Sequence, residues 1–371
     1  MQGGTFQGVW NLPDPCRDEA HAGRGEQATA ARRGPRVGSV SESASPSYAA
    51  AGTLRELWRF PVKSMGGEQL QESLIGSRGL HADRMWAVRD LELDAVTTAR
   101  RLPGLLLCAA RFETEPPPGV GPGDVAHVVV TLPDGTEIGS RDGARLGAAL
   151  SELVDTRVSL VPLPPLHDKA AYRGVLASQK DLRKQFGLAE GEPLPDLSMF
   201  PVRKLAELAV YATPVGSFVD AYPVHVLTTS SLRAIAEHAG AAEVDVRRFR
   251  PNLLLDGAPD GLAEQAWVGG TLRVGAAELR AEIPTVRCTV PLREQAGGLP
   301  ADPAVSKAVS RVGDRCLGVY AETTRPGVVR VGDPVLVAVP RFPGAVAASV
   351  GRVAERVKRG ALRTGNRFLP R

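Results

Sequence analysis

Apolar residues in this chain come in short runs, each cut off by turn formers, and this rhythm restricts the fold more than any other feature. Leu70, Glu72 and Leu74 alternate, and Met85-Trp86-Ala87-Val88 makes a brief run. Gly66-Gly67 and Gly76-Ser77-Arg78-Gly79 separate such pieces. Runs of this kind read as strands. His127 to Leu132 is another, with Pro133-Asp134-Gly135 turning it into Glu137-Ile138, and Arg157 to Val161 completes a β-rich block. That spacing suits a small barrel or sandwich. The 40 glycines and 30 prolines among 371 residues supply the turns.

The second half repeats the theme. Val224 to Leu227 is an apolar strand, and Thr228 or Thr229 caps a helix that carries Leu232, Ile235, Ala236 and Ala239 and stops at Gly240. Leu253 to Leu255, Thr271 to Val274 and Glu278 to Ile283 read as strands, Ala304 to Val312 as a helix, and Pro334 to Val339 as a last strand. The expected fold is mainly β, two barrel-like modules with few helices, and α+β at its margins. The β/α alternation of a doubly wound sheet is missing, as are the GxGxxG and GxxxxGK[ST] phosphate loops. The expected organisation is a disordered leader (1–52), a first β module (53–165), a Pro- and charge-rich connection (166–200), a second β module (201–340) and a basic tail (341–371).

Charge narrows the partners. Arg341 to Arg371 carries eight basic residues and one acid, Glu355, so the other 340 residues hold −3 of a chain total of +4. The basicity is a property of the tail, which argues against a nucleic-acid-binding body. Val346, Val350, Val353 and Val357 recur in that tail at helical spacing. Two readings stay open there, a poorly ordered extension and an amphipathic helix making weak contact with an anionic membrane surface or an acidic partner. No run reaches the length of a membrane span, and the first residues lack a secretory pattern, so a cytoplasmic location is expected.

Four cysteines, at positions 16, 108, 288 and 316, form neither a disulfide framework nor a CxxC zinc pair. Cys108 and Cys316 lie in apolar context and read as core; Cys16 falls in the leader. Cys288 is different. It follows a strand, sits next to Arg287 and lies between Pro284 and Pro291. A neighbouring cation stabilises the thiolate, the nucleophilic and metal-binding form of cysteine, and thiolate sulfur suits a soft or high-valent metal or a persulfide. The residues alone also allow a buried small hydrophobe.

Several motifs in order carry a family resemblance. The first module has Phe60-Pro61-Val62-Lys63-Ser64, Gly79-Leu80-His81-Ala82-Asp83-Arg84 and Val96-Thr97-Thr98-Ala99-Arg100. The second has His225-Val226-Leu227-Thr228, Arg248-Phe249-Arg250-Pro251-Asn252 and Arg287-Cys288-Thr289-Val290-Pro291, and it ends with Val331-Gly332-Asp333-Pro334-Val335. From Leu54 to Val339 the chain resembles the MOSC family, the C-terminal domain type of molybdenum cofactor sulfurases, with the β-barrel module that often precedes it. Within that family it is similar to the amidoxime-reducing component group.

The resemblance implies a molybdenum pterin cofactor between the modules, with Cys288 as catalytic residue and metal ligand. Lys63, Ser64, Arg84, Arg100, Thr228, Arg250 and Asn252 are the implied cofactor-binding residues, with Ser230 beside Thr228 near a helix N-terminus. A phosphate and an anionic metal centre need fixed positive charge, and arginine clamps phosphate in two-point fashion. The implied activity is an oxidoreductase that removes oxygen from N-oxygenated small molecules. The chain lacks the four-cysteine ferredoxin of some relatives, so a separate donor of ferredoxin or cytochrome/flavin reductase type is implied. The alternatives are a sulfur carrier with a persulfide on Cys288 and a non-catalytic cofactor-binding module. Pyridoxal phosphate attaches to the family through a desulfurase domain that has no room here, so Lys63 is not read as a Schiff-base lysine. One departure stands out: Pro291-Leu292-Arg293-Glu294-Gln295 replaces the usual acidic turn after the cysteine, which bears on the substrate-side loop.

Overall fold

In the computed structural model residues 47–339 are described, apart from 175–177, 191, 193, 196 and 212. Among them seven strands curl into a closed barrel. They are β1 (Ala49–Arg59), β2 (Val224–Thr228), β3 (Leu253–Asp256), β4 (Thr271–Val274), β5 (Ala277–Val286), β6 (Cys316–Arg325) and β7 (Pro334–Ala338). The order around the hoop is β3, β2, β6, β5, β4, β7, β1, and β1 returns to β3. Only β2 and β3 run parallel. Closure gives each barrel strand a partner on both sides, and Glu68–Leu70 adds to the end of β1 as an eighth strand of the sheet.

The barrel follows from period-two patterning. In β5 the residues Ala277, Leu279, Ala281 and Ile283 are buried, whereas Arg280 between them is exposed. Ala277, Leu279 and Ala281 meet Leu54, Leu57, Val226, Leu253, Leu272 and Val319 in one core, and Ile283 packs with Phe200, Ala221 and Tyr222. Burying each such aliphatic side chain contributes about 1.5–3 kcal/mol. Five helices are described: α1 (Gly143–Val154), α2 (Gln179–Phe186), α3 (Val202–Val210), α4 (Thr229–Ala239) and α5 (Pro303–Gly313). β2 is buried along its whole length because α4 and α5 cover its outer face through Ile235, Val305 and Val309. Thr228 caps α4 by accepting from the Ser231 N–H, and Gly240 closes it in the left-handed conformation. Both follow the sequence expectation.

The mainly β reading holds. β1, however, starts at Ala49, ahead of the Thr53 boundary, and it serves the second module. Its first residues pair with β7 (Ala49 opposite Val337) and its middle with β3 (Leu57 opposite Leu253). The rest of the first module forms small antiparallel sheets. Trp86–Asp90 lies between Val158–Pro162 and Ala95–Val96, and Ala109–Phe112, Val128–Thr131 and Glu137–Gly139 make a meander. With α1 they enclose Met65, Trp86, Leu105, Cys108, Val130 and Leu146. Cys108 and Cys316 are buried as expected. The 166–200 stretch, read from sequence as a plain connection, carries α2, which has a Ser178/Asp181 capping box. The basic tail, Cys16 and the leader up to residue 46 lie outside the described residues.

Candidate functional site

The loop of Gly79 to Arg84 brings the two modules into close contact. A Cβ on Gly79 (φ +91°) would lie 2.3 Å from the Pro223 carbonyl oxygen, so only glycine fits there. Asp83, just beyond, ties the loops together. One of its carboxylate oxygens accepts from the Phe60 N–H at 2.7 Å; the other accepts from Asn252 Nδ2 at 3.1 Å and from Arg84. Asn252 also donates to the Trp58 carbonyl, and its Oδ1 accepts from the His225 N–H at 3.1 Å. The motifs of both modules thus converge on one hydrogen-bonded knot.

Above the knot lies a cleft of about 80 Å³ whose lining includes Lys63, Ser64, Arg84, Arg100, Arg250, Asn252, Arg287 and Cys288. Five cationic side chains there face one lining carboxylate, Asp220. Lys63 is buried. Its Nζ donates to the Phe218 carbonyl at 2.9 Å and to Asp220, and Arg100 Nη2 lies 3.5 Å from the same carboxylate. Ser64 Oγ accepts from the Ala99 N–H at 2.9 Å, which fixes the loop carrying Arg100. The guanidinium carbons of Arg250 and Arg84 sit 4.3 Å and 4.9 Å from the centre of the Phe60 ring, and Arg250 donates to the Met65 carbonyl. Such cation–π contacts contribute about 0.5–2 kcal/mol.

The backbone is strained where it presents these groups. Ser64, Arg84 and Arg250 all adopt left-handed conformations, with φ of 75°, 52° and 54°. Non-glycine residues hold such angles at a cost, and they do so characteristically at functional sites.

Electrostatics in the cleft follow from crowding. Burial, with help from Arg100 and Arg84, lowers Lys63 to about 8 in spite of Asp220. Burial pushes Asp220 up, yet Lys63 and Arg100 overcome it and hold the carboxyl well below its usual range. Burial pulls Arg100 down, but Asp220 and then Cys288 raise it. Burial and Arg84 lower Arg250. His225 is kept neutral by burial and by Arg287, and burial with Asp220 raises Tyr320 to about 12.

Cys288 follows β5 and is partly exposed, unlike the buried Cys108 and Cys316. Arg287 N–H donates to the Arg315 carbonyl, and Thr289 N–H to the Gln185 carbonyl of α2 at 2.9 Å. Arg248 holds the downstream loop through the Pro291 and Pro300 carbonyls.

Residues 51–153 match the MOSC N-terminal beta barrel domain, and residues 214–336 match the MOSC domain. The chain carries both MOSC domains. A Mus musculus protein named Mitochondrial amidoxime-reducing component 1 is 24% identical over 316 residues, covering 76% of this chain and 82% of its own. The Homo sapiens protein of that name is 25% identical over 317 residues, with the same coverage. The YUAD protein from Bacillus subtilis aligns with a TM-score of 0.37 and 13% identity, covering 80% of this chain and 100% of its own.

The MOSC cleft gathers Lys63, Ser64, Arg84, Arg100, Arg250, Asn252 and Cys288 from both modules. Thr228 is not among the lining residues. Its hydroxyl and that of Ser231 both bond buried Glu264, and Ser230 Oγ lies 2.9 Å from Thr228 Oγ1. Asn252 faces the cleft, but its amide is occupied by the knot. Asp220, His225, Tyr320 and, as a lining cation, Arg287 were not expected as site residues. For His225 and Arg287 the available signal was membership of the matching motifs.

The lining fits an anionic ligand with a sulfur-bound metal. Arg250 Nη2, Arg287 Nε and His225 Nε2 are buried without a protein partner, and buried polar atoms of this kind call for ligand acceptors or water. Among the described residues no cluster of three His, Cys, Asp or Glu side chains forms a metal site. Also among the described residues, no helix is long and apolar enough to cross a membrane.

Proposed function

We propose that this MOSC protein is a molybdenum-pterin-dependent oxidoreductase that reduces N-oxygenated small molecules with electrons from a separate donor protein. The supporting observation is the partly exposed Cys288 facing a cleft lined by Lys63, Arg84, Arg100, Arg250 and Arg287. The relatives named amidoxime-reducing component agree with this reaction class.

Bound there, the cofactor would supply the two-electron redox chemistry. The chain supplies the rest. Cys288 Sγ would hold the metal, and Lys63, Arg84, Arg100 and Arg250 would offset the negative charge of the cofactor. Arg250 Nη2 and Arg287 Nε, buried without a protein partner, would donate to it. Loss of the substrate oxygen as water would take two protons and the two electrons from the donor protein. Tyr320, which stays protonated through neutral pH, and Lys63 are lining groups that could each pass on one proton and recover it from solvent.

The test is metal and pterin analysis of the full chain from a molybdenum-replete host. Stoichiometric molybdenum and pterin, with the molybdenum lost in Cys288→Ser, is the expected result. Metal-free wild-type protein with a persulfide on Cys288 would instead establish the sulfur carrier, a reading that the exposure of the thiol also favours.

A further inference from the structure

Asp220 is out of place in a pocket suited to anions. Among the described lining residues it is the one carboxylate, on the segment that leads into β2, and its side chain remains 57% exposed. Nothing in the hydrogen-bonded knot needs it, since Asp83 serves that purpose. It engages Lys63 and Arg100 instead, two groups on separate loops of the first module.

We propose that Asp220 is a resident counter-ion that fills the Lys63–Arg100 end of the cleft and makes that end selective for a phosphomonoester dianion over a monoanion. An entering monoanion would replace one carboxylate contact with another of equal charge, and it would pay the entropy of association that the tethered Asp220 does not. A dianion brings twice the charge to two cations and gains charge-assisted hydrogen bonds to both. On its entry Asp220 turns out through its open face, where water solvates it. The inference takes the identity of the ligand from the function proposed above; the counter-ion role stands on the geometry alone.

The test is calorimetric titration of the full chain, produced in a host unable to make the pterin cofactor, with inorganic phosphate and with acetate. Buffer near neutral pH keeps inorganic phosphate largely dianionic while Lys63, lowered only to about 8, stays mostly protonated. Wild-type protein is expected to bind phosphate and not acetate. Asp220→Asn is expected to bind phosphate about fivefold or more tightly and to gain acetate binding, with Asp220→Ser following the same direction. A single cooperative thermal transition, at whatever temperature, verifies that both variants are folded. Phosphate binding no tighter in either variant, or equal binding of both anions by the wild type, overturns the proposal. Protein isolated with pterin gives a second arm. Loss of phosphate binding there assigns the site to the cofactor's phosphate, and persistence overturns that assignment. Absence of pterin from protein made in a competent host would defeat the proposed function while leaving the Asp220 titration decisive.

Discussion

At the scale of residues, chemistry depends on how each side chain is housed. Cys108 and Cys316 are buried, and burial pushes their thiols up to about 12 and about 11. Cys288 is partly open. Brief iodoacetamide treatment of the native protein, mapped by peptide mass, should label Cys288 and spare the other two; equal labelling would contradict this placement. Lys63 gives a pH prediction. Its folded value of about 8 lies below the ordinary 10.5. Its protonated form therefore costs the fold, fully below about 8 and progressively less as pH rises towards 10.5. Anion binding has the opposite dependence, because it needs the ammonium. Phosphate affinity should fall as pH climbs through 8, measured by titration at several pH values, and Lys63→Met should remove that slope. Much of the site was legible as charge near a cysteine, because Lys63, Arg84, Arg100 and Arg250 sit in short, ordered motifs. Thr228 misled: a threonine before a helix caps it whether or not a ligand lies beyond, and the buried Glu264 that takes its hydroxyl is some 36 residues away in sequence. Asp220 was illegible because its role depends on two cations from another module.

At the scale of elements, strands were read well because alternation and turn residues report them directly. α4 was legible through its caps, Thr228 and Gly240, and α5 as a helix from Ala304 to Val312, which the structure starts at Pro303 behind an Asp302 cap. α1 was not, since Gly143 and Gly147 weaken its helical signal and only its contacts with the core fix it. The Thr53 boundary failed for a related reason. Ala49 to Gly52 has little apolar patterning of its own, and its pairing with β7 is non-local. A chain starting at Thr53 should therefore unfold at lower temperature than one starting at Ser47, by scanning calorimetry. Gly52→Ala should also destabilise, because its Cβ would lie 1.9 Å from the Asp256 carbonyl oxygen at a φ of +121°. Wild-type stability in that variant would mean that β1 does not sit as described.

At the scale of the whole molecule, the modules are joined by more than a connecting segment. Glu72–Gly76 pairs with Gly327–Arg330, Arg59 on β1 holds Glu115 through two 2.8 Å bonds, and the Asp83–Asn252 knot crosses between them. Urea unfolding followed by tryptophan fluorescence and by circular dichroism should show one coincident transition; separated transitions would show independent modules. Asn252→Ala removes one of Asp83's three donors and strands the buried His225 N–H, and should cost about 1–3 kcal/mol across that transition. The barrel has a further consequence in time. Its first stave leaves the ribosome before any of the others and its last stave leaves at the end, so the hoop stays open for about 15–60 s of synthesis. Through that interval the nascent chain carries unsealed strand edges, and cellular yield should depend on whatever shelters β1 until β7 arrives.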